Sequence, residues 1–122
     1  MKDFRNLRVG QKAHEVTLLV YRHTFGFPRE ELYGLTSQTR RCAASVAANI
    51  AEGCGKRGNA EFQRFLNIAS GSASELEYQA LLARDLSLLR EAEYKTLHGR
   101  IVEMKCMLAT LVRKVEQERL AG

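Results

Sequence analysis

The sequence has little of what marks secreted or membrane-spanning proteins. It contains one proline and three cysteines, and no apolar stretch approaches membrane-spanning length. The cysteines, Cys42, Cys54 and Cys106, are odd in number and far apart, which indicates reduced thiols rather than a disulfide framework. No apolar run follows the N-terminal charges, so no signal peptide is predicted. These absences together predict a cytoplasmic protein.

Residues that could perform chemistry are present but not grouped. His14, His23 and His98 have no Cys, His or carboxylate at the spacing of a helical metal site. Ser45 has no neighbouring base, and Cys54 has no partner that activates a thiolate. Glu75 and Glu77 should point to different sides of a helix. No catalytic constellation, cofactor or small-molecule substrate is therefore predicted, and we expect a non-enzymatic protein.

One glycine-rich run imitates a nucleotide-binding motif. Residues 53–58 match GxGxxG literally, but that mechanism requires a preceding strand and this run follows a predicted helix. Lys56 and Arg57 within it come just before a helix N-terminus, where free N–H groups favour an anion such as phosphate. An ordinary solvated loop is the alternative.

Length and composition predict a single folded domain. The 122 residues can bury a moderate core, and a composition of 45% hydrophobic and 27% charged residues is ordinary for a folded protein. We expect one domain over 1–122, with an N-terminal arm over about 1–7 and a C-terminal tail over about 119–122. No second domain is expected.

Hydrophobic periodicity predicts four helices and no strand. The helices are expected from about Val9 to His23, from an N-cap at Thr36 or Ser37 to Gly53, from an N-cap at Asn59 to about Leu86, and along an apolar seam from Tyr94 to Val115. Gly10 should weaken the start of the first helix. Four amphipathic segments joined by short loops favour an all-α, antiparallel up-down-up-down four-helix bundle.

The second helix predicts self-association. Residues 42–51 carry no charge on any side, so that helix should be buried all round, which a domain this small cannot do alone. Its polar stripe must find hydrogen-bond partners, and we expect an ion pair from Arg41 to Glu75 or to Glu52. The small side chains around Gly71 would let helices approach closely. The predicted interface residues are Arg41, Ala44, Ser45, Ala47, Asn49, Ala51, Glu52, Gly71 and Glu75.

Charge predicts a polyanionic partner. The formal net charge is +5 and the pI is about 9.4, and the excess lies in the N-terminal half. A scarcity of surface aromatics argues against stacking on single strands as the main mode. The candidate nucleic-acid contacts are Lys2, Arg5, Arg8, Lys12, Arg22, Lys56 and Arg57.

Several runs of the chain resemble a known family. Leu35-Thr36-Ser37-Gln38, the run Ala48 to Gly53 with sequence Ala-Asn-Ile-Ala-Glu-Gly, and Gly71-Ser72 with Glu75-Leu76 resemble the four-helix bundle proteins encoded in 23S rRNA intervening sequences. A related branch is the accessory variability protein of diversity-generating retroelements. The resemblance covers Phe4 to about Val112. Where the family usually has Trp in the first helix, this chain has Gly10.

The resemblance implies a fold and a class of partner. It implies a ring-like homopentamer without known enzymatic activity that binds nucleic acid, in particular structured RNA. In the retroelement branch the ring also contacts a reverse transcriptase. We therefore expect a homo-oligomeric bundle that binds RNA or DNA. The alternative is a protein-interaction scaffold, for example for a reverse transcriptase, with no nucleic-acid role of its own.

Overall fold

The computed structural model describes residues 2–122 and contains four helices in cyclic contact. α1 spans Arg8–Thr24, α2 Ser37–Cys54, α3 Asn59–Asp85 and α4 Glu91–Ala121. Each packs on its two neighbours in the order α1, α2, α3, α4 and back to α1. No strand occurs among the described residues. The predicted all-α four-helix bundle is confirmed.

The core is built from the apolar stripes that the periodicity indicated. Every helix buries residues three or four apart, which is the spacing that keeps side chains on one face of a helix. Burial of each large aliphatic side chain contributes roughly 1.5–3 kcal/mol. The largest fully buried side chains are Val16, Val20, Val46, Ile50, Leu66, Leu76, Ile101, Met104, Leu108 and Val115.

The C-terminal segment is helical rather than a tail. α4 continues to Ala121, through the region about 119–122 that was expected to lie outside the helix. Two contacts hold its last turns on α3: the Arg119 guanidinium donates to Gln63 Oε1 at 2.9 Å, and the Asn59 amide donates to Glu118 at 3.5 Å. The last turns of α4 therefore lie beside the first turn of α3.

The predicted helix caps are wrong at two places. Thr36 has helical backbone angles and makes no capping hydrogen bond, whereas the Glu31 carboxylate accepts from the Leu35 N–H at 3.1 Å. Residues 32–36 form a π-helical turn that leads directly into α2. Asn59 is the first residue inside α3, after Gly58 at a φ of +80°, and no side chain caps that helix. The N–H groups at the start of α3 are therefore not covered by a side chain.

The N-terminal segment is docked on the bundle. The Lys2 N–H donates to the Cys54 carbonyl at 3.1 Å, and a 3-10 turn over Phe4–Asn6 leads into α1. Gly10 is buried beneath that turn: a Cβ there would lie 2.5 Å from the Phe4 carbonyl oxygen. Gly10 is needed because any side chain at this position would collide with Phe4.

Candidate nucleic-acid interface

Most of the net charge of the molecule lies at one end of the bundle. The antiparallel helices bring together residues 2–8, 52–64 and 113–121, which we call the basic end. It contains nine basic and five acidic side chains, which is +4 of the formal +5 of the chain. A polyanion would therefore meet its strongest attraction at this end.

Most bases of the basic end are not neutralised by a carboxylate. Arg5 pairs with Asp3 at 3.3 Å and Arg64 with Glu61 at 2.9 Å, and these hydrogen bonds lower the pKa of both carboxyls. Counting partners among residues 2–122, the other seven bases form no ion pair. Cations without a carboxylate partner can bind phosphate without first breaking a salt bridge. They are Lys2, Arg8, Lys56, Arg57, Arg113, Lys114 and Arg119.

The loop between α2 and α3 surrounds a small polar hollow of about 210 Å³. Lys2, Lys56 and Arg57 contribute to its lining. The Lys2 Nζ lies 4.9 Å from the centre of the Phe62 ring, and the Lys56 Nζ lies 5.5 Å from that of Phe65. Such cation–π contacts restrict flexible lysine side chains. The uncapped N-terminus of α3 adjoins this hollow, and its free N–H groups also favour an anion.

A second hollow extends the basic end along α1 and α4. Its volume is about 290 Å³, and its apolar lining includes Leu7, Met107 and Leu111. Arg8 and Lys114 also line it. The sequence interpretation missed Arg113, Lys114 and Arg119 because the C-terminal residues are nearly neutral in sum. These residues could have been predicted from the antiparallel order of the helices, because that order places the end of α4 beside the start of α1.

Two of the predicted contact residues do not belong to the basic end. Lys12 binds Glu103 at 2.5 Å and Glu15 at 3.3 Å, and these hydrogen bonds raise the pKa of Lys12. Its charge is therefore already compensated. Arg22 lies near the far end of α1 and lines a different hollow with Glu15 and Arg100. The other five predicted residues, Lys2, Arg5, Arg8, Lys56 and Arg57, are together at the basic end.

The opposite end exposes aromatic side chains. Tyr21, Phe25 and Tyr33 are 46%, 86% and 91% exposed, and together with Leu32 they form what we call the aromatic end. The interpretation that the surface lacks aromatics is therefore wrong at the connection between α1 and α2. Composition could not reveal this, because aromatic side chains in a small domain are normally buried.

The predicted interface on α2 is only partly covered within the protomer. Ala48 is exposed, and Ala44, Ser45, Ala47, Asn49 and Ala51 are half-buried. The polar stripe, however, finds partners inside the chain: Ser45 Oγ lies 3.0 Å from Ser72 Oγ, and the Asn49 amide donates to the Ser45 carbonyl at 2.8 Å. The hydrogen bonding of this stripe does not by itself require a second copy.

The predicted ion pairs of Arg41 do not form within the protomer. Arg41 and Glu75 line one groove of about 360 Å³ between α2 and α3, but Glu75 accepts a hydrogen bond from Gln79 at 3.2 Å instead. Glu52 lies eleven residues along the same helix, which is about 16 Å away. Arg41 has no carboxylate partner among the described residues.

The small residue that permits close helix packing is Gly53, not Gly71. A Cβ at Gly53 would lie 3.0 Å from the Phe65 Cβ, whereas a Cβ at Gly71 would meet nothing within 4 Å. Gly71 is exposed on α3. Within the protomer, α2 and α3 therefore approach closely beside the basic end, and the surface around Gly71 is open.

The thiols and acids have structural surroundings. The Cys42 thiol donates to the Ser72 carbonyl, and burial raises its pKa to about 12; burial also raises the pKa of Cys54. Glu77 faces His98 and Lys105 of α4 while Glu75 faces α2, so the two carboxylates point to different sides as predicted. Residues 2–122 contain no cluster of three metal-ligating side chains.

Within residues 2–122, no α-helix has both the length and the apolar composition that a membrane-spanning segment needs.

Comparison with known proteins assigns the family. None of the curated proteins matches the chain. Its fold is similar to the crystal structure of a protein of unknown function from the S23 ribosomal protein family of Bacteroides thetaiotaomicron, with a TM-score of 0.78 and 24% identity over 86% of this chain and 95% of that one. The family model of the 23S rRNA-intervening sequence protein matches residues 5–110. The chain therefore belongs to the 23S rRNA-intervening sequence protein family.

Proposed function

We propose that the protein is a non-enzymatic, homo-oligomeric bundle that binds nucleic acid, above all structured RNA, through its basic end. The observation that carries this proposal is the gathering of seven basic side chains without ion pairs at that end. Neutralisation of phosphates by lysine and arginine releases counterions and supplies affinity that does not depend on sequence. The family resemblance implies the same function, and this function requires no catalytic residue.

The arrangement of the cations suits a folded RNA. Lysine and arginine side chains are spread over one end of a rigid bundle instead of along one helix. They come from the N-terminal segment, the α2–α3 loop and the end of α4. Double-stranded RNA is recognised mainly by shape and by contacts to phosphates and 2′-hydroxyls. Positive charge spread over a rigid surface meets that requirement better than positive charge within a narrow groove.

Assembly would multiply this site. The α2–α3 side of the bundle offers the uncharged surface of Ala48, the open surface around Gly71 and the exposed apolar side chains Ile68 and Tyr78. A second copy packed on it would cover these groups, and the unpaired Arg41 could then reach an acid of its neighbour. A ring, pentameric as the resemblance implies, would present several basic ends and raise the overall affinity by multivalency.

Charge reversal at the loop tests the proposed interface. The double variant Lys56→Glu, Arg57→Glu should bind an RNA hairpin much more weakly, because it replaces two phosphate contacts by two repulsions. The matched control is Arg22→Glu, Lys95→Glu, which reverses two exposed, unpaired bases away from the basic end and changes the net charge equally. Fluorescence anisotropy with a labelled hairpin measures both. Equal losses in the two double variants would contradict a localised interface.

Assembly is tested separately by sedimentation. Arg41→Ala should reduce the sedimenting mass while circular dichroism reports unchanged helicity, because Arg41 has no partner to lose inside the protomer. Lys95→Ala, at an exposed base on α4, is the matched control. An Arg41→Ala variant that assembles like the wild type would remove Arg41 from the proposed contact between copies.

A scaffold without a nucleic-acid role is the second candidate. The hollow of Leu7, Met107 and Leu111, with Arg8 and Lys114 in its lining, suits an apolar side chain carried on an acidic partner such as a reverse transcriptase. Pull-down of a purified retroelement reverse transcriptase after nuclease treatment separates the candidates. A complex that survives nuclease and is lost in Leu111→Lys would favour the scaffold, and one that disappears with nuclease would favour RNA.

A further inference from the structure

The aromatic end contains a hollow of about 550 Å³ whose lining combines flat rings with guanidinium groups. It lies where α1 ends and α2 begins, at the opposite end of the bundle from the basic end. Arg40 and Arg41, like seven of the nine bases of the basic end, have no carboxylate partner among residues 2–122. The lining residues are Tyr21, Leu32, Tyr33, Thr36, Ser37, Arg40 and Arg41.

One side of the hollow is already organised. The Arg40 Nε donates to Thr24 Oγ1 at 2.8 Å, and the guanidinium carbon lies 4.7 Å from the centre of the Tyr21 ring. The ring and the cation are therefore held together before any ligand arrives. A group fixed in advance loses less conformational entropy when it binds a ligand.

The other side presents a ring to solvent. Tyr33 lies in the π-helical turn of residues 32–36, where Gly34 has non-helical angles of φ −103° and ψ −114°. The turn is fixed by the hydrogen bond from the Leu35 N–H to the Glu31 carboxylate. Phe25 follows Tyr21 by one helical turn and so lies on the same side of α1.

The lining also contains a hydroxyl without a partner. Thr36 is only 4% exposed, and its Oγ1 makes no hydrogen bond within residues 2–122. Buried polar groups in folded proteins are nearly always hydrogen-bonded, because an unmet one costs about 1–3 kcal/mol. Because Thr36 Oγ1 is itself covered, a ligand in the hollow would become its partner only after the Thr36 side chain turned towards the hollow.

We propose that this hollow binds an unpaired nucleotide of single-stranded RNA. The base stacks on the exposed Tyr33 ring, and the guanidinium of the fixed Arg40 holds the phosphate. Stacking on aromatic and guanidinium planes together with cationic phosphate contacts is how proteins bind unpaired nucleotides. The site is separate from the basic end, and it rests on the proposed function only in naming RNA as the source of the nucleotide.

The test compares strand binding by three variants of the full chain. Fluorescence anisotropy with a fluorescein-labelled single-stranded oligouridylate should give binding about 5- to 150-fold weaker for Tyr33→Ala, because one base loses its stacking partner. Tyr33→Phe keeps the ring and should stay within about twofold of the wild type. Leu86→Ala removes an exposed apolar side chain at the end of α3, outside the hollow, and is the control. Circular dichroism confirms that each variant is folded.

Four results would overturn the inference. They are no binding of oligouridylate by the wild type, equal affinity in Tyr33→Ala, a changed sedimenting mass in Tyr33→Ala with unchanged strand affinity, and displacement of the strand by adenosine monophosphate at equal nucleotide concentration. The third would identify a contact between copies and the fourth a site for free nucleotides. A blunt RNA duplex, which has no unpaired nucleotide, should bind Tyr33→Ala normally and lose affinity only for Lys56→Glu, Arg57→Glu, so failure of the basic end is seen independently.

Discussion

The two ends of the bundle use the same kinds of residue in opposite ways. At the basic end the aromatic rings of Phe62 and Phe65 are buried and the cations lie over them at the surface. At the aromatic end the rings of Phe25 and Tyr33 are exposed, while Arg40 is half-buried and held in place. The first arrangement presents charge on a rigid support, and the second presents flat apolar surface.

Under the two proposals, this difference is a division of tasks along one small protein. Every nucleic acid has phosphates, which proteins bind through charged side chains. Unpaired bases are bound by stacking on aromatic rings. A bundle that separates the two could hold a folded RNA at one end and an unpaired segment at the other. Substitutions at each end test whether the two ends differ physically in this way.

The largest expected effect comes from the same substitution made at each end. Phe62→Ala removes a ring that is 2% exposed and should lower the free energy of unfolding by about 3–5 kcal/mol. Phe25→Ala removes a ring that is almost fully exposed and should change it by less than about 0.5 kcal/mol. Urea denaturation followed by circular dichroism measures both, and similar costs would show that the ends do not differ in burial.

Glycine substitutions sharpen the description of the docked N-terminal segment. Gly10→Ala places a Cβ against the Phe4 backbone, so the segment that carries Lys2 and Arg5 must shift, at a cost of about 1–3 kcal/mol. Gly99→Ala, in an exposed turn of α4 with open space around it, should instead stabilise by about 0.4–1 kcal/mol. Thermal denaturation gives the sign of each change, and RNA affinity should fall only for Gly10→Ala. A stabilising Gly10→Ala would show that the segment is not docked.

The sequence predicted the helices far better than their ends. Apolar stripes at three- and four-residue spacing are local signals, and they identified the core from Val16 to Val115. The cap formed by Glu31, the π turn before α2 and the fit of Phe4 over Gly10 depend on contacts between segments, which spacing does not encode. Thr36 and Asn59 have the side chains of good N-caps, but the turns that precede them decide otherwise.

The candidate interface could be predicted in part for the same reason. Lys2, Arg5, Arg8, Lys56 and Arg57 come together because antiparallel helices return the chain to the same end. The ion pair of Lys12 with Glu103 could not be foreseen, because Glu103 is ninety-one residues away in the chain. The exposed rings of the aromatic end were missed because aromatic residues normally predict burial.

Between the two ends, an ion pair on the side of the bundle provides an internal reference. The Lys105 ammonium donates to Glu77 at 2.6 Å and lowers the pKa of that carboxyl. A lowered folded-state pKa means stabilisation above the ordinary glutamate pKa of about 4.3, lost as the pH falls through the folded-state value. Glu77→Gln should therefore destabilise by up to about 1 kcal/mol at neutral pH and by nothing in strong acid. A cost that persists in acid would mean that packing, not charge, is responsible.

The smallest expected effect is a difference in reaction rate among the three cysteine thiols. It involves no change in the free energy of unfolding. Cys106 is exposed, whereas Cys42 and Cys54 are buried and burial raises the pKa of both. Because the thiolate is the reactive form, a thiol reagent at mildly alkaline pH should modify one cysteine quickly in the folded protein. All three should react in denaturant. Rapid modification of Cys54 in the folded protein would contradict the tight packing of the α2 terminus beneath the basic end.

The salt dependence of hairpin RNA binding tests the role of the basic end most directly. Because each phosphate contact contributes about −0.7 to −0.9 to the slope of log affinity against log salt, Lys56→Glu, Arg57→Glu should flatten the wild-type slope by about 1.4 to 1.8. Arg22→Glu, Lys95→Glu should leave it unchanged. A wild-type affinity that ignores salt, or a slope that the two double variants flatten equally, would contradict binding through the basic end.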